Sequence, residues 1–252
     1  LLRNVNRRED ALRALTQHPE PLPLELEVVT LALLWELELW DGFVQKSLEV
    51  LNQFEAPRDK ARLQFQRGQA YERLEQPLKA IPSYEKSLQN VLRPDWEAEA
   101  QFSIVRILYT LQEVRFSERA ESLLRQNILT PEQETQVRQW LIERYEFVNE
   151  PQRTVPHRER LIRLWEDRLR NNLDGTVVAR EQRILAIAQQ HIALGELKQQ
   201  PLPWEQAESW AAELQRSGDA AMQREALLLA GHAAFELSAY DRSVASYLQA
   251  MY

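Results

Sequence analysis

The sequence predicts an all-α fold of stacked antiparallel helix pairs. Leu, Ala, Glu, Gln and Arg dominate the 252 residues and Gly occurs only 6 times, so helix propensity is favourable almost everywhere and no segment alternates as a strand. Proline- and glycine-containing breakers divide the chain into about thirteen helical segments. The connections between the segments are short, which makes successive helices antiparallel neighbours, and a series of such pairs stacks.

A pattern of small and aromatic residues that occurs twice supports this fold. The first copy contains Gly68, Tyr71, Leu74, Ala80, Ile81, Ser83, Tyr84 and Ser87, and the second contains Gly231, Ala234, Leu237, Ser243, Val244, Ser246, Tyr247 and Ala250. Small residues such as Gly68 and Gly231 are expected where two helix backbones approach closely, and aromatic residues such as Tyr84 are expected to fill the neighbouring hole. Each copy is therefore interpreted as one antiparallel helix pair.

The pattern resembles the tetratricopeptide repeat (TPR), in which a small residue, an aromatic residue, an Ala and a second aromatic residue recur at fixed spacing. The first copy, within 60–93, meets all four positions, and the second, within 223–252, meets three because Ala234 replaces the first aromatic residue. The resemblance implies that 1–252 form a single TPR-like α-solenoid, a right-handed superhelix whose inner surface binds a peptide. A compact bundle around one core is the alternative, and recurrence of the pattern at opposite ends of the chain favours stacking.

Breakers and caps define the helices of the first half of the chain. The predicted helices cover about 8–17, 24–40, 43–54, 58–73, 77–91, 95–112 and 117–126. Three prolines within 18–23 end the first helix, and Asp41-Gly42 turns the chain after the second. Asp95 and Ser117 are the predicted N-caps of the last two helices. Pro82 is expected to kink its helix, because it removes a backbone donor.

The second half has the same organisation. Its predicted helices cover about 131–148, 158–170, 177–194, 204–216, 219–237 and 241–252. Thr130, Pro131 and Gln133 are a strong helix start, because Thr and Gln can cap the first turn and Pro fits its first position. Gly195 is expected to end the third of these helices. Residues 149–157 are the best candidate joint, because two prolines among polar residues predict both a poor core and a poor helix.

Composition excludes several classes of function. The net charge of −7 is spread over well-interspersed charged residues, whereas an obligate nucleic-acid partner would favour a concentrated basic face. Cysteine is absent, which excludes disulfides, thiolate zinc sites and a cysteine nucleophile. No apolar run approaches the roughly 20 residues that a membrane-spanning helix needs, so no membrane insertion is expected.

Two expectations concern the setting of the chain. The sequence has no initiator Met or signal-peptide pattern, and its last repeat stops while the final helix is still predicted to run, so we expect a fragment of a longer protein. A cysteine-free chain suits an oxidising space, and the bacterial cell envelope or periplasm is the working expectation for its compartment. Cytosolic proteins can also lack cysteine, which leaves the cytosol as the alternative.

The sequence predicts no catalytic, metal or cofactor site. The four histidines, His18, His157, His191 and His232, are far apart in sequence, and no two of them lie at a spacing that indicates a metal pair. Glycine-rich phosphate loops, nucleophile elbows and the His-Glu-x-x-His pattern are all absent. Paired carboxylates such as Glu132 and Glu134 are interpreted as solvated helix faces. We therefore expect a protein that is not an enzyme and has no cofactor.

The candidate binding residues follow from the resemblance. In TPR proteins the first helix of each pair lines the inner surface, and the matching positions here include Arg62, Phe65, Gln66, Gln69, Arg73 and His232. Trp96 and Trp204 are added as peptide anchors because both start helices beside prolines, and filling between helices is the alternative role for such tryptophans. The Lys/Asn carboxylate clamp of the family's chaperone-binding members is missing, so a segment held through its sides is expected, with Arg62 and Arg73 available for an acidic residue.

Three functions are weighed on this basis. The first is a non-enzymatic scaffold that binds a peptide segment or a partner domain within a larger assembly. The alternatives are a regulatory or sensor domain of a larger signalling or envelope protein, and a helical accessory domain of an envelope enzyme. Self-association is a further expectation, because Tyr247, Leu248 and Met251 would have no following helix to cover them.

Overall fold

A computed structural model describes the backbone of residues 2–18, 21–90, 92–171, 173–199, 204–236 and 238–251, and the side chains of these residues except 2–6, 204–207 and 236. Within this part of the chain the fold is all-α, as predicted, and contains no strand. Leu237 of the second repeat copy lies outside the described residues. The α-helices are α1 Leu2–Thr16, α2 Leu24–Glu36, α3 Trp40–Val50, α4 Pro57–Arg73, α5 Pro77–Leu88, α6 Pro94–Thr110, α7 Phe116–Gln126, α8 Pro131–Phe147, α9 Val155–Arg170, α10 Val177–Lys198, α11 Trp204–Leu214, α12 Ala220–Glu236 and α13 Tyr240–Met251.

The chain divides into two compact units, Leu1–Thr130 and Pro131–Tyr252. In the first unit each helix from α1 to α7 packs against the next one in sequence. In the second unit the same holds from α8 to α13, and α10 also packs against α12. The predicted joint at 149–157 lies inside the second unit, around the 3-10 helix Pro151–Thr154, and remains a prediction.

One backbone turn recurs every 37 residues between the two helices of a pair. Its central residue has a positive φ, and the amide of the following residue donates to the carbonyl five positions back at 2.8–2.9 Å. The central residues are Glu38 (φ 57°), Glu75 (φ 55°), Gln112 (φ 55°) and Asn149 (φ 59°). This is a helix C-cap of the Schellman type, which satisfies carbonyls at the end of the first helix.

Prolines mark the same period at the helix starts. Pro57, Pro94 and Pro131 occupy the first positions of α4, α6 and α8, 37 residues apart. Proline is favoured there because its φ is already helical and its missing amide proton would have no partner within the helix. The period was not part of the sequence-based prediction, which rested on small and aromatic residues. The first helices of the four pairs with this period are α2, α4, α6 and α8. The pair of α12 and α13 has the same turn at Ser238, which lies off the period.

The predicted long helix over 24–40 is wrong. α2 ends at Glu36, the amide of Leu39 donates to the carbonyl of Leu34, and α3 begins at Trp40. The predicted turn residues Asp41 and Gly42 lie in the first turn of α3, where a carboxylate interacts favourably with the helix dipole. The early turn brings the indoles of Trp35 and Trp40 edge to face at 5.0 Å. This contact joins residues of two helices, so the helix propensity of the local sequence does not predict it.

Two predicted N-caps and one predicted helix end are also wrong. α6 begins at Pro94, and Asp95 instead accepts two hydrogen bonds from the Arg93 guanidinium at 3.1 and 2.9 Å. α7 begins one residue before Ser117, at Phe116, which is buried. Gly195 lies inside α10, because packing stabilises a helix by more than the roughly 1 kcal/mol that one Gly costs. The helix α5 runs through Pro82, which is exposed to water.

The segment at 149–157 was expected to be a poor core, and this is wrong as well. Thr154 and His157 are both buried. The Thr154 hydroxyl donates to the carbonyl of Pro151 at 2.7 Å and accepts from Arg158 at 3.1 Å. The His157 ring stacks on Tyr145 with ring centroids 5.9 Å apart. Polar side chains that satisfy one another can enter a core, which residue type alone does not reveal.

A glycine under a tyrosine ring closes each of the two recognised repeat pairs. In α4 and α5, a Cβ added to Gly68 would lie 2.6 Å from the ring of Tyr84. In α12 and α13, a Cβ added to Gly231 would lie 2.9 Å from the ring of Tyr247. Real Cβ contacts are not this short, so only glycine permits the approach. In both pairs the glycine therefore admits a tyrosine ring of the next helix, and the predicted close approach of the two helix backbones stays a prediction.

A polar junction ties α4, α5 and α6 together. The buried Tyr84 hydroxyl of α5 donates to the Glu72 carboxylate of α4 at 2.6 Å, and Arg106 of α6 donates to the other oxygen of Glu72. Burial and the Glu72 carboxylate raise the pKa of Tyr84, so the hydroxyl stays protonated and remains the donor. Charge-assisted hydrogen bonds of this kind are stronger than neutral ones.

Ion pairs hold the helices of the second unit. Glu134 of α8 accepts from Arg160 of α9 and from Arg138 of its own helix, each at 2.9 Å. Burial acts to raise the pKa of Glu134, but the two guanidinium groups outweigh it and lower the pKa. The carboxylate therefore stays ionised and joins the two helices.

His191 of α10 is an aromatic contact in the second unit. Its ring lies 5.4 Å from that of Trp210, and its Nε2 is buried without a hydrogen bond, 4.0 Å from a carboxylate oxygen of Glu166. Burial lowers the pKa of His191, although the Glu166 charge partly opposes the shift. The folded protein therefore binds this proton less readily than the unfolded chain does.

We predict that Gly68→Ala lowers the free energy of unfolding by about 1–3 kcal/mol, because the added methyl group must push α5 away from α4. Gly231→Ala should have a smaller effect, since its contact with the tyrosine ring is looser. Gly218→Ala is the control, because nothing lies within 4 Å of a Cβ added there. Urea unfolding followed by circular dichroism gives the three values. Equal stability of the Gly68 and Gly218 variants would contradict the close approach.

We predict that acid destabilises the second unit through His191. Because its folded pKa is lower than the ordinary 6.5, stability is full above about pH 6.5 and falls as the pH drops through the folded value. His191→Gln should therefore lose less thermal stability than the wild type between pH 7.5 and pH 5. The exposed His18→Gln variant is the control. If His191→Gln lost as much thermal stability as the wild type over this pH range, His191 would not be the group that makes the second unit sensitive to acid.

Candidate functional site

A groove runs along the first helices of the first unit. One of its cavities, about 540 Å³, lies among α2, α3 and α4. The lining is mostly apolar: Val28, Leu31, Ala32, Trp35, Phe43, Phe54 and Leu63, with Glu36, Asp59, Arg62 and Gln66 at its edge. A cavity of this size falls within the range of about 300–1,000 Å³ that is usual for ligand sites.

A second cavity extends the groove toward the ends of the same helices. It measures about 420 Å³ and shares Trp35 and Glu36 with the first. Its other lining residues are Glu38, Trp40, Gln69 and Arg73. Residues of rising number along α2 lie opposite residues of rising number along α4, so the two helices run in the same direction. First helices of successive stacked pairs have this arrangement.

Four of the predicted binding residues line this groove. Arg62, Gln66, Gln69 and Arg73 occupy one face of α4, at the spacing of successive helical turns. Arg62 and Arg73 are exposed, and the two glutamines are half-buried. Among the residues that the structure describes, no carboxylate lies within ion-pair distance of Arg62 or Arg73. Both guanidinium groups are therefore available to a ligand.

Phe65 and Trp96 form a stacked pair at the groove's edge. The rings are 5.4 Å apart and nearly parallel, at 9°. Phe65 is only 4% exposed and also contacts Tyr84, so its predicted role as a direct peptide contact is replaced by that of a support for Trp96. Trp96 is half-buried, and Arg62 and Arg93 approach its ring to 5.9 and 5.2 Å.

A smaller hollow of about 250 Å³ adjoins this pair. It is lined by Arg58, Asp59, Arg62, Leu92, Arg93 and Trp96. Arg58 and Arg93 were not among the predicted site residues. Arg58 could have been found from sequence, because it precedes Arg62 by four residues and so shares its helix face. Arg93 lies in a connection and carries no such signal.

The remaining predicted residues, His232 and Trp204, belong to the second unit. His232 is exposed, and its ring meets Tyr247 edge to face at 5.4 Å, with the Tyr247 hydroxyl 3.0 Å from its Nδ1. Trp204 begins α11, but its side chain lies outside the described residues. The structure therefore brings together six of the eight predicted residues, all on α4 and at the start of α6.

Two other kinds of site are absent from the part of the chain that the structure describes. No group of three or more His, Asp or Glu side chains there is placed to hold a metal ion. None of the helices in those ranges is long and apolar enough to cross a membrane. No protein-family model matches the chain, and no curated protein matches it significantly.

Proposed function

We propose that this protein is a non-enzymatic scaffold that binds a segment of a partner protein in the groove of its first unit. The observation that carries the proposal is a pair of adjoining cavities lined by apolar side chains and by the polar side chains of Arg62, Gln66, Gln69 and Arg73. Burial of apolar surface contributes about 25 cal/mol per Å², and the arginines and glutamines can fix the orientation of a bound backbone.

We also propose that the helix pairs form a TPR-like right-handed superhelix. The 37-residue period, the common direction of α2 and α4, and the Gly–Tyr contact in two pairs support this architecture. The period is about three residues longer than the 34 of the tetratricopeptide repeat. The proposed architecture is therefore TPR-like but has a repeat length of its own.

Self-association through α13 remains a prediction with partial support. Leu248 and Met251 are exposed, whereas Tyr247 packs on Gly231 and so contributes less than expected to an apolar surface. Sedimentation velocity over a range of concentrations tests it. A species that remains monomeric at high concentration, with the same profile for Leu248→Glu, would contradict the prediction.

Affinity capture from a native extract tests the binding function. The groove variant changes Arg62, Gln66, Gln69 and Arg73 to Ala. The control variant changes Gln53, Lys86, Gln89 and Arg125 to Ala, which removes two glutamines and two cations from exposed positions outside the groove. Circular dichroism confirms that both variants fold.

We expect a partner that binds the wild type and the control variant and is lost from the groove variant, because only the groove variant removes the polar edge of the site. Retention of every partner by the groove variant would place the interface elsewhere on the molecule and overturn the proposal.

A further inference from the structure

We propose that the bound segment is acidic and apolar: a carboxylate side chain enters the arginine hollow beside Trp96, and a bulky apolar side chain enters the adjoining cavity among α2, α3 and α4. The proposal rests on the proposed function and names the chemistry of the segment that the same groove accepts.

The hollow has an excess of guanidinium groups. Three arginines, Arg58, Arg62 and Arg93, line the hollow. The carboxylates beside them are only two, Asp59 in the lining and Asp95 next to Arg93. Asp95 is engaged by Arg93 through two hydrogen bonds. Within the described part of the chain, neither Arg58 nor Arg62 lies at ion-pair distance from a carboxylate. A guanidinium group presents a planar fork that matches a carboxylate.

The hollow is also organised before a ligand arrives. Phe65 is buried behind Trp96 and fixes its ring by stacking at 5.4 Å. The ring in turn attracts the guanidinium groups of Arg62 and Arg93, which lie 5.9 and 5.2 Å from its centroid. Side chains that are already ordered lose less entropy on binding, so the carboxylate meets a partly formed site.

The apolar cavity adjoins the hollow, because both are lined by Asp59 and Arg62. Its floor is formed by side chains such as Leu31, Trp35 and Phe43, and Val28 at its side is 43% exposed. The volume of about 540 Å³ accepts an aromatic or large aliphatic side chain without rearrangement.

The distance between the two sites limits the spacing in the ligand. Arg58 and Gln66 are eight residues apart on α4, which corresponds to about 12 Å along the helix. An extended chain rises about 3.3 Å per residue, so the acidic and apolar residues of the segment lie about two to four positions apart.

The end of the groove at Arg73 has no comparable preference for a carboxylate. Arg73 shares its cavity with Glu36 and Glu38, and Glu36 is itself paired with Arg8 at 2.9 Å. Charges of both signs therefore face a ligand there. The carboxylate of the segment is therefore assigned to the arginine hollow and not to Arg73.

Three blocked synthetic peptides test the proposal, with binding measured by isothermal titration calorimetry. The first is acetyl-Asp-Glu-Ser-Gly-Phe-Leu-amide. In the second, Asn and Gln replace the two acidic residues, and in the third, Ser replaces Phe and Leu. We expect the first peptide to bind the wild type at least tenfold more tightly than either of the others, and more weakly as salt is raised.

Variants then locate the contact. Arg58→Gln/Arg62→Gln should weaken binding of the first peptide at least tenfold, whereas the control Lys86→Gln/Arg125→Gln, which removes two exposed cations outside the groove, should change it less than threefold. Failure of the first peptide to bind, equal binding of the uncharged peptide, or full binding by the double variant would each overturn the inference. The proposed function fails separately, because it depends on partner loss in the Ala-substituted groove variant and not on these peptides.

Discussion

The contact between Gly68 and Tyr84 is the constraint on which the first unit depends. The missing Cβ lets the Tyr84 ring lie directly on the α4 backbone, and this fixes the distance between α4 and α5. The same ring carries the hydroxyl that binds Glu72, and Glu72 binds Arg106 of α6. The position of α6 relative to α4 follows from that chain of contacts. The stacking of Trp96 on Phe65 at the groove's edge requires this position.

The second unit repeats the packing but not the polar contacts. Tyr247 lies on Gly231 as Tyr84 lies on Gly68, yet its hydroxyl meets His232, and Ser243 donates to the carbonyl of Gly231 at 2.9 Å. The two pairs therefore share only the packing of a tyrosine ring against a glycine. Shape is a packing requirement of the helix pair, whereas the hydrogen-bond partners differ between copies.

The arginines are of two kinds. Some join helices through ion pairs and hydrogen bonds, whereas those that line the groove have no carboxylate partner among the described residues. Arg158 is buried and bound to Glu146, Thr154 and Gln190, and Arg160 is bound to Glu134. These contacts use the guanidinium groups to join helices. Arg62 instead has an aromatic ring as its neighbour and an open cavity beside it. A bound carboxylate would complete its contacts without breaking one that the fold requires.

The sequence by itself determined the all-α class, the helix starts at prolines such as Pro77 and Pro131, and the shared face of Arg62 and Arg73, because these depend on backbone chemistry and on spacing within one helix. Only the tertiary structure decided that Phe65 is buried behind Trp96 and that Arg93 converges with Arg62. These contacts join residues about thirty positions apart on different elements, and no local propensity or helical period specifies them.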